Sequence, residues 1–270
     1  MRKLVLSFCL VFSIFSYGQY DSALNNYTVD SGYFTSFDHT KIYYEKRGTG
    51  EPVVLIHGFI QNGESWKRLS ILSELLKNGF EVITLDLRGN GRSDRKLNES
   101  AYAGDAEARD IIGLSRYLHL GKYDIIGYSR GSIIAARLLI KDRKIKKAVL
   151  GGMGTGFTNP QWPRRIMFYE ALMGKPTKEL EGAMKYVRQQ GLDTLQLAYM
   201  QKYQPSTSPD ELSKIKKQVL VICGDKDEDN GSAAALAKMI HSSVLVIVPG
   251  DHGGAPKSKE FSEAVVSFLK

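Results

Sequence analysis

The chain has 270 residues, 43% of them hydrophobic, and carries 37 Lys+Arg against 29 Asp+Glu for a formal net charge of +8. That length fits one large domain or two small ones, and the apolar content supports a sizeable core and excludes general disorder. Two cysteines exclude a disulfide framework and a four-ligand zinc site of the usual kind.

The first residues read Met1-Arg2-Lys3, then an apolar run from Leu4 to Phe15 interrupted only by Ser7 and Ser13, then Ser16-Tyr17-Gly18. A basic start, a short apolar run and a small-x-small site predict a secretory signal peptide over residues 1–18, cleaved before Gln19. The run is too short to span a bilayer comfortably, so no stable membrane anchor is expected after cleavage. The mature chain, 19–270, is then secreted or periplasmic, with 35 basic and 29 acidic residues and Cys223 as its single thiol. Its basic residues are spread along the chain rather than clustered, which argues against a nucleic-acid partner. A monomer is expected.

Tyr33–Asp38 and Lys41–Lys46 alternate around Asp38-His39-Thr40, as in an antiparallel hairpin. Pro52–His57 is a buried-type strand. Ser65–Lys77 has helical spacing at Trp66, Leu69, Leu72 and Leu76. Glu81–Leu85 is a strand and Asp105–Leu118 a helix. Tyr123–Gly127 is a strand followed by a helix through Leu139, and Lys146–Leu150 is another strand. Gln218–Cys223 and Val244–Val248 complete eight strands, with helices at Ser232–Ile240 and Lys259–Leu269. The later strands are apolar throughout and alternate with helices. This predicts an α/β fold: an eight-stranded, mostly parallel sheet with helices on both faces. Residues 152–214 break the alternation with helical stretches at Arg164–Met173, Thr177–Gln190 and Leu192–Tyr203, a helical insertion within one domain. In such sheets ligands bind at the carboxyl ends of the strands.

Gly127-Tyr128-Ser129-Arg130-Gly131 lies between a predicted strand and a predicted helix. This G-x-S-x-G places a serine on a tight, strained turn with its hydroxyl clear of the sheet, and the glycines avoid a clash across the turn. A serine hydroxyl needs a base. His252 lies in the loop after the last strand, at the same sheet edge, whereas His39, His119 and His241 fall in a turn or at helix ends. The base needs an orienting carboxylate, and Asp225, Asp227, Glu228 and Asp229 all follow the strand Gln218–Cys223. Asp227 is the choice, although the chemistry alone leaves its three neighbours open. Gly151-Gly152-Met153-Gly154-Thr155-Gly156 lacks the ending of a phosphate loop and reads as a flexible exit into the insertion. No paired Cys/His spacing supports a metal, and Cys223 closes a buried strand as an inert thiol.

Ser129, Asp227 and His252 in that chain order resemble the α/β-hydrolase superfamily. The motifs carrying the resemblance are His57-Gly58-Phe59, Asp86-Leu87-Arg88-Gly89-Asn90-Gly91-Arg92-Ser93-Asp94, the serine elbow, Gly224-x-x-Asp227 and the final His252, and it covers almost all of residues 33–270. The resemblance favours Asp227 by its position three after Gly224. It makes residues 152–214 a lid and assigns the oxyanion hole to the backbone N–H groups of Phe59 and Arg130. It also makes His57 structural. Two positions depart from common family residues: Arg at 130, whose side chain could pair with a substrate carboxylate or equally with a neighbouring acid or solvent, and Gly253-Gly254 after the histidine. Trp162, with Met167, Phe168, Leu172, Met173 and Tyr199, suggests an apolar substrate pocket under the lid.

The expected function is hydrolysis of a small carboxylic ester through an acyl-enzyme, with no cofactor and no metal. Other chemistry of the same triad stays open: amide or C–C hydrolysis, perhydrolysis or cyanohydrin cleavage. So does a non-enzymatic small-molecule receptor on the same fold.

Overall fold

A computed structural model describes residues 22–270. The expected signal peptide, 1–18, lies outside the described residues. The eight expected strands are present: β1 Val29–Thr35, β2 Lys41–Arg47, β3 Glu51–Ile56, β4 Phe80–Leu85, β5 Tyr123–Tyr128, β6 Ile145–Gly151, β7 Gln218–Gly224 and β8 Ser243–Val248. They form one sheet in the order β1-β2-β4-β3-β5-β6-β7-β8. β2 runs antiparallel to both β1 and β4, and all other pairs are parallel.

Alternation along each central strand divides the core in two. Val54 and Ile56 of β3, Ile125 of β5 and Val219 and Val221 of β7 face one side. There they meet α2 (Ala106–Tyr117), α3 (Arg130–Lys141) and α8 (Ala233–Met239). Val53, Leu55, Ile126, Val149 and Leu220 face the other, under α1 (Ser70–Lys77) and α9 (Lys259–Leu269). Covering both faces is what lets these strands carry apolar residues on both sides.

Two boundaries differ from expectation. β1 starts at Val29, four residues before Tyr33, because its register with β2 continues from Thr35↔Lys41 out to Val29↔Arg47. This stretch is largely exposed, so no apolar alternation marks it. The expected helix Ser65–Lys77 is interrupted at Leu69, which is extended (φ −117°, ψ 136°) between a 3-10 turn, Gly63–Arg68, and α1. Both pieces bury apolar residues, so the i, i+3 spacing runs through the break unmarked.

Between β6 and β7 lie α4 (Pro163–Leu172), α5 (Glu181–Gln189), α6 (Thr194–Lys202) and α7 (Pro209–Ser213). Residues 152–214 contain no strand. Leu180, Ala183, Met184, Val187, Leu197 and Ala198 form a third core, against which Phe59 and Ile60 of the loop after β3 also pack. The insertion therefore has its own apolar interior and rests on the edge where the strands end.

Candidate active site

Ser129 closes β5 and caps α3, with φ 53° and ψ −123°. A non-glycine residue at positive φ is strained, and the turn is over-determined by its neighbours. A Cβ on Gly127 would lie 2.3 Å from the carbonyl oxygen of Gly131, and one on Gly131 would lie 2.0 Å from that of Ile56. Both glycines are thus steric requirements. Ser129 N–H donates to Gly151 O at 2.8 Å, and Ser132 Oγ donates to Gly127 O and Gly151 O at 2.9 and 2.7 Å.

Parallel register brings the other parts to this turn: Ile56 pairs with Gly127, Tyr128 with Gly151, Gly151 with Ile222 and Gly224 with Val248. The residues just beyond these rungs are Gly58, Ser129, Asp227 and His252. His252 Nε2 lies 2.9 Å from Ser129 Oγ, and His252 Nδ1 lies 2.8 Å from Asp227 Oδ2. Burial opposes ionisation of Asp227, but the hydrogen bond and charge of His252 outweigh it and hold the carboxyl below its ordinary 3.8. An ionised Asp227 fixes the proton on Nδ1 and leaves Nε2 free to accept from Ser129.

The neighbouring acids have other tasks. Asp225 Oδ1 accepts from Gly250 N–H at 2.8 Å, and Asp229 pairs with Arg164 of α4 at 3.3 Å. Among the described residues, Asp227, Asp229 and His252 bring possible metal-ligand atoms within 4.8 Å of one another. Asp227 and His252 are engaged with each other and Asp229 with Arg164, so this donor set is committed to hydrogen bonds and an ion pair.

Gly58 sits against the serine: a Cβ there would be 3.4 Å from Ser129 Cβ and 3.9 Å from its Oγ. Phe59 follows directly. Arg130 is the first residue of α3, where a backbone N–H has no intrahelical partner and the helix end is electropositive. His57 is fully buried; its Nδ1 donates to Gly58 O at 2.8 Å and its Nε2 accepts from Leu87 N–H at 3.1 Å. Burial pushes its pKa down to about 4, so it stays neutral and ties β3 to the loop after β4.

That loop is a structural clamp. Asp86 Oδ1 and Oδ2 accept from the N–H groups of Gly63 and Arg92, both at 2.7 Å. Arg88, fully buried, pairs with Asp110 through Nε at 2.7 Å and Nη2 at 2.6 Å, and with Asp38 at 2.9 Å; Nη1 also donates to Ala101 O.

The structure bears on both expected substrate-contact residues. The Arg130 guanidinium is 4% exposed and makes bonds of 2.6 Å to each carboxylate oxygen of Glu107 on α2, plus one of 3.0 Å to Met200 O at the end of α6. Its charge is already matched, so it is not held out for a substrate carboxylate. Trp162 is half-buried, packs against the main core and lies beside Gly156, where a Cβ would be 2.5 Å from the indole. Phe168, edge-on to Phe59 with ring centroids 5.9 Å apart, reaches the loop after β3, with Met167 and Tyr199 in the same cluster. Met173 is 47% exposed and lines nothing there. Glu107 escaped the sequence reading because 23 residues separate it from Arg130. Burial leaves Cys223 inert as expected, its thiol pushed up to about 12.

A sequence profile of the alpha/beta hydrolase fold matches residues 51–175, from β3 to just past α4. That span includes Ser129 and stops before Asp227 and His252. Over 111 residues the chain is 41% identical to a protein of Synechocystis named as a candidate non-heme chloroperoxidase, covering 40% of this chain and 39% of that protein. The chain thus spans about two fifths of the length of that relative. A non-heme haloperoxidase of Rhodococcus erythropolis is 26% identical over 280 residues, covering 88% of this chain and 99% of its own. Among solved structures, an esterase from Exiguobacterium antarcticum aligns with a TM-score of 0.73 at 24% identity, covering 89% of this chain and 99% of its own. A bromoperoxidase from Bacillus anthracis aligns at 0.68 and 25%, with the same coverages. With its eight-stranded sheet, serine elbow and matching profile, the chain has the α/β-hydrolase fold.

Proposed function

We propose that this protein is an exported serine hydrolase that cleaves small carboxylic esters through an acyl-enzyme, using Ser129, His252 and Asp227. The observation that carries the reading is the unbroken line from Ser129 Oγ through the His252 ring to Asp227, 2.9 and 2.8 Å at its two joints. Ser129 Oγ attacks the ester carbonyl carbon while its proton passes to His252 Nε2. Asp227 keeps the ring oriented and stabilises the imidazolium. The negative charge moves to the carbonyl oxygen, facing the N–H groups of Phe59 and Arg130. The tetrahedral centre collapses, the C–O bond to the alcohol breaks, and the alkoxide leaves with the proton from Nε2. Water then attacks the acyl group with the same base, releasing the acid and restoring Ser129.

The helices of 152–214 act as the lid. Phe59, Met167, Phe168 and Tyr199 give the covered side an apolar character suited to an apolar acyl group. No cofactor or metal takes part. A monomer suffices, since the residues of the triad lie within one chain. The signal-like sequence of residues 1–18 supports export.

The haloperoxidase names of three similar proteins favour one second reaction at the same serine. Hydrogen peroxide in place of water would attack the acyl-enzyme and release a peracid. Turnover of p-nitrophenyl esters of increasing acyl length tests the first reading: hydrolysis of short esters, lost in Ser129→Ala, is expected. Absence of turnover across the series would overturn it. Adding peroxide and bromide to the same assays tests the second reading, which expects bromide oxidation that requires both Ser129 and the acyl donor.

A further inference from the structure

The loop that carries His252 runs Val248-Pro249-Gly250-Asp251-His252-Gly253-Gly254, with glycine at three of its seven positions. Such a backbone has many accessible conformations and will not by itself hold an imidazole to a fraction of an ångström. Asp225 accepts from Gly250 N–H, and Asp251 Oδ1 accepts from Gly253 and Gly254 N–H at 3.1 and 2.7 Å, so the flanks of the loop are tied. The histidine itself is tied from elsewhere. Tyr128 Oη donates to the backbone carbonyl oxygen of His252 at 2.7 Å. The two rings also lie 5.4 Å apart at 37°.

Tyr128 occupies a built seat. Its ring stands edge-on to Phe261 of α9, with centroids 5.8 Å apart. On another side are Gly151 and Gly152 at the end of β6. A Cβ on Gly151 would lie 2.8 Å from the Tyr128 ring, and one on Gly152 would lie 2.6 Å from it. The glycine run after β6, expected to be a flexible exit into the insertion, is therefore the space into which this ring fits. The run is also pinned, by Gly152 N–H to Ile222 O at 2.9 Å and by a contact so close that a Cβ on Gly154 would lie 2.0 Å from Gly231 O. Burial keeps the phenol neutral and therefore a donor at any working pH.

We infer that Tyr128 is a positioning residue: it sits next to the nucleophile in sequence and uses its hydroxyl to fix the glycine-rich His252 loop, setting the reach of the imidazole between Ser129 and Asp227. The inference rests on the serine-hydrolase reading above. Tyr128 does not touch the reacting atoms. It sets the distance over which His252 works, and proton-transfer geometry is steep: a misplacement of about 1 Å can cost roughly 10²-fold in rate.

The test is Tyr128→Phe, which keeps the ring and removes the one oxygen. On a p-nitrophenyl ester that the wild type hydrolyses, kcat is expected to fall roughly 10-fold or more, with KM within about twofold. The low-field proton NMR signal of His252 Nδ1–H, seen in the wild type and absent in His252→Ala, is expected to shift or broaden. A merely structural role would lower the melting temperature and leave that signal and kcat in place. Phe261→Leu is the control: it loosens the seat but leaves the hydroxyl, and is expected to lower stability with a smaller loss of kcat. Unchanged kcat and an unchanged His252 signal in Tyr128→Phe would overturn the inference while leaving the hydrolase reading intact. A wild type that turns over no ester would overturn both.

Discussion

Arg130 serves the elbow twice, with its backbone as the first N–H of α3 and with its guanidinium as the buried partner of Glu107. Both side chains are almost wholly buried, so removing one leaves an uncompensated charge. Glu107→Gln is expected to cost about 3–5 kcal/mol of unfolding free energy. The double change Arg130→Met with Glu107→Leu is expected to recover most of that loss, as read by urea denaturation. Because the guanidinium is committed, Arg130→Met should slow acidic and neutral esters by the same factor, and a loss confined to acidic esters would show that it meets substrate after all. Residue by residue, the site divides by sequence distance. Gly127, Ser129 and Gly131 were legible because their constraints are local: each glycine is excluded from being anything larger by an atom within the same turn or the adjoining strand. Asp227 could be told from three neighbouring acids only by resemblance, and its geometry is set by a partner 25 residues away. The Arg130–Glu107 pair has no local signature at all, and an arginine beside a nucleophile reads equally well as a substrate contact.

The strands were legible as elements because the central ones carry apolar residues on both faces over most of their length, which only a sheet covered on both faces requires. Their ends were less so, as the exposed start of β1 and the break at Leu69 show. Links between elements were hidden. His57 joins the end of β3 to the loop after β4 through one donor and one acceptor, and the acceptor bond needs the neutral ring. Its folded pKa of about 4 is below the ordinary 6.5, so the unfolded chain binds the extra proton first. The stability it confers is therefore complete above about pH 6.5 and is lost as pH falls toward 4, by about 3 kcal/mol in total. In His57→Gln, whose amide can also donate and accept, the slope of unfolding free energy between pH 6.5 and 4 is expected to flatten by up to one proton. An unchanged slope would remove His57 as its source.

The whole molecule ends its sheet on two unlike edges. β1 carries Asp30 and Gly32 along its exposed run, whereas β8 reads Ser-Val-Leu-Val-Ile-Val, with Val244 and Ile247 each more than half exposed. A flat apolar edge without a charge invites pairing with other chains. Ile247→Lys is expected to suppress aggregation on heating without changing ester turnover, as followed by light scattering; equal scattering would place the liability elsewhere. What the molecule is built around is the serine at the end of β5, reached by one histidine. The most direct measurement is intact-protein and peptide mass spectrometry after exposure of the folded protein to a fluorophosphonate. Stoichiometric phosphonylation of Ser129, abolished by His252→Ala and by prior unfolding, is the predicted result. A folded wild-type protein that remains unlabelled, or is labelled equally without His252, would contradict the triad.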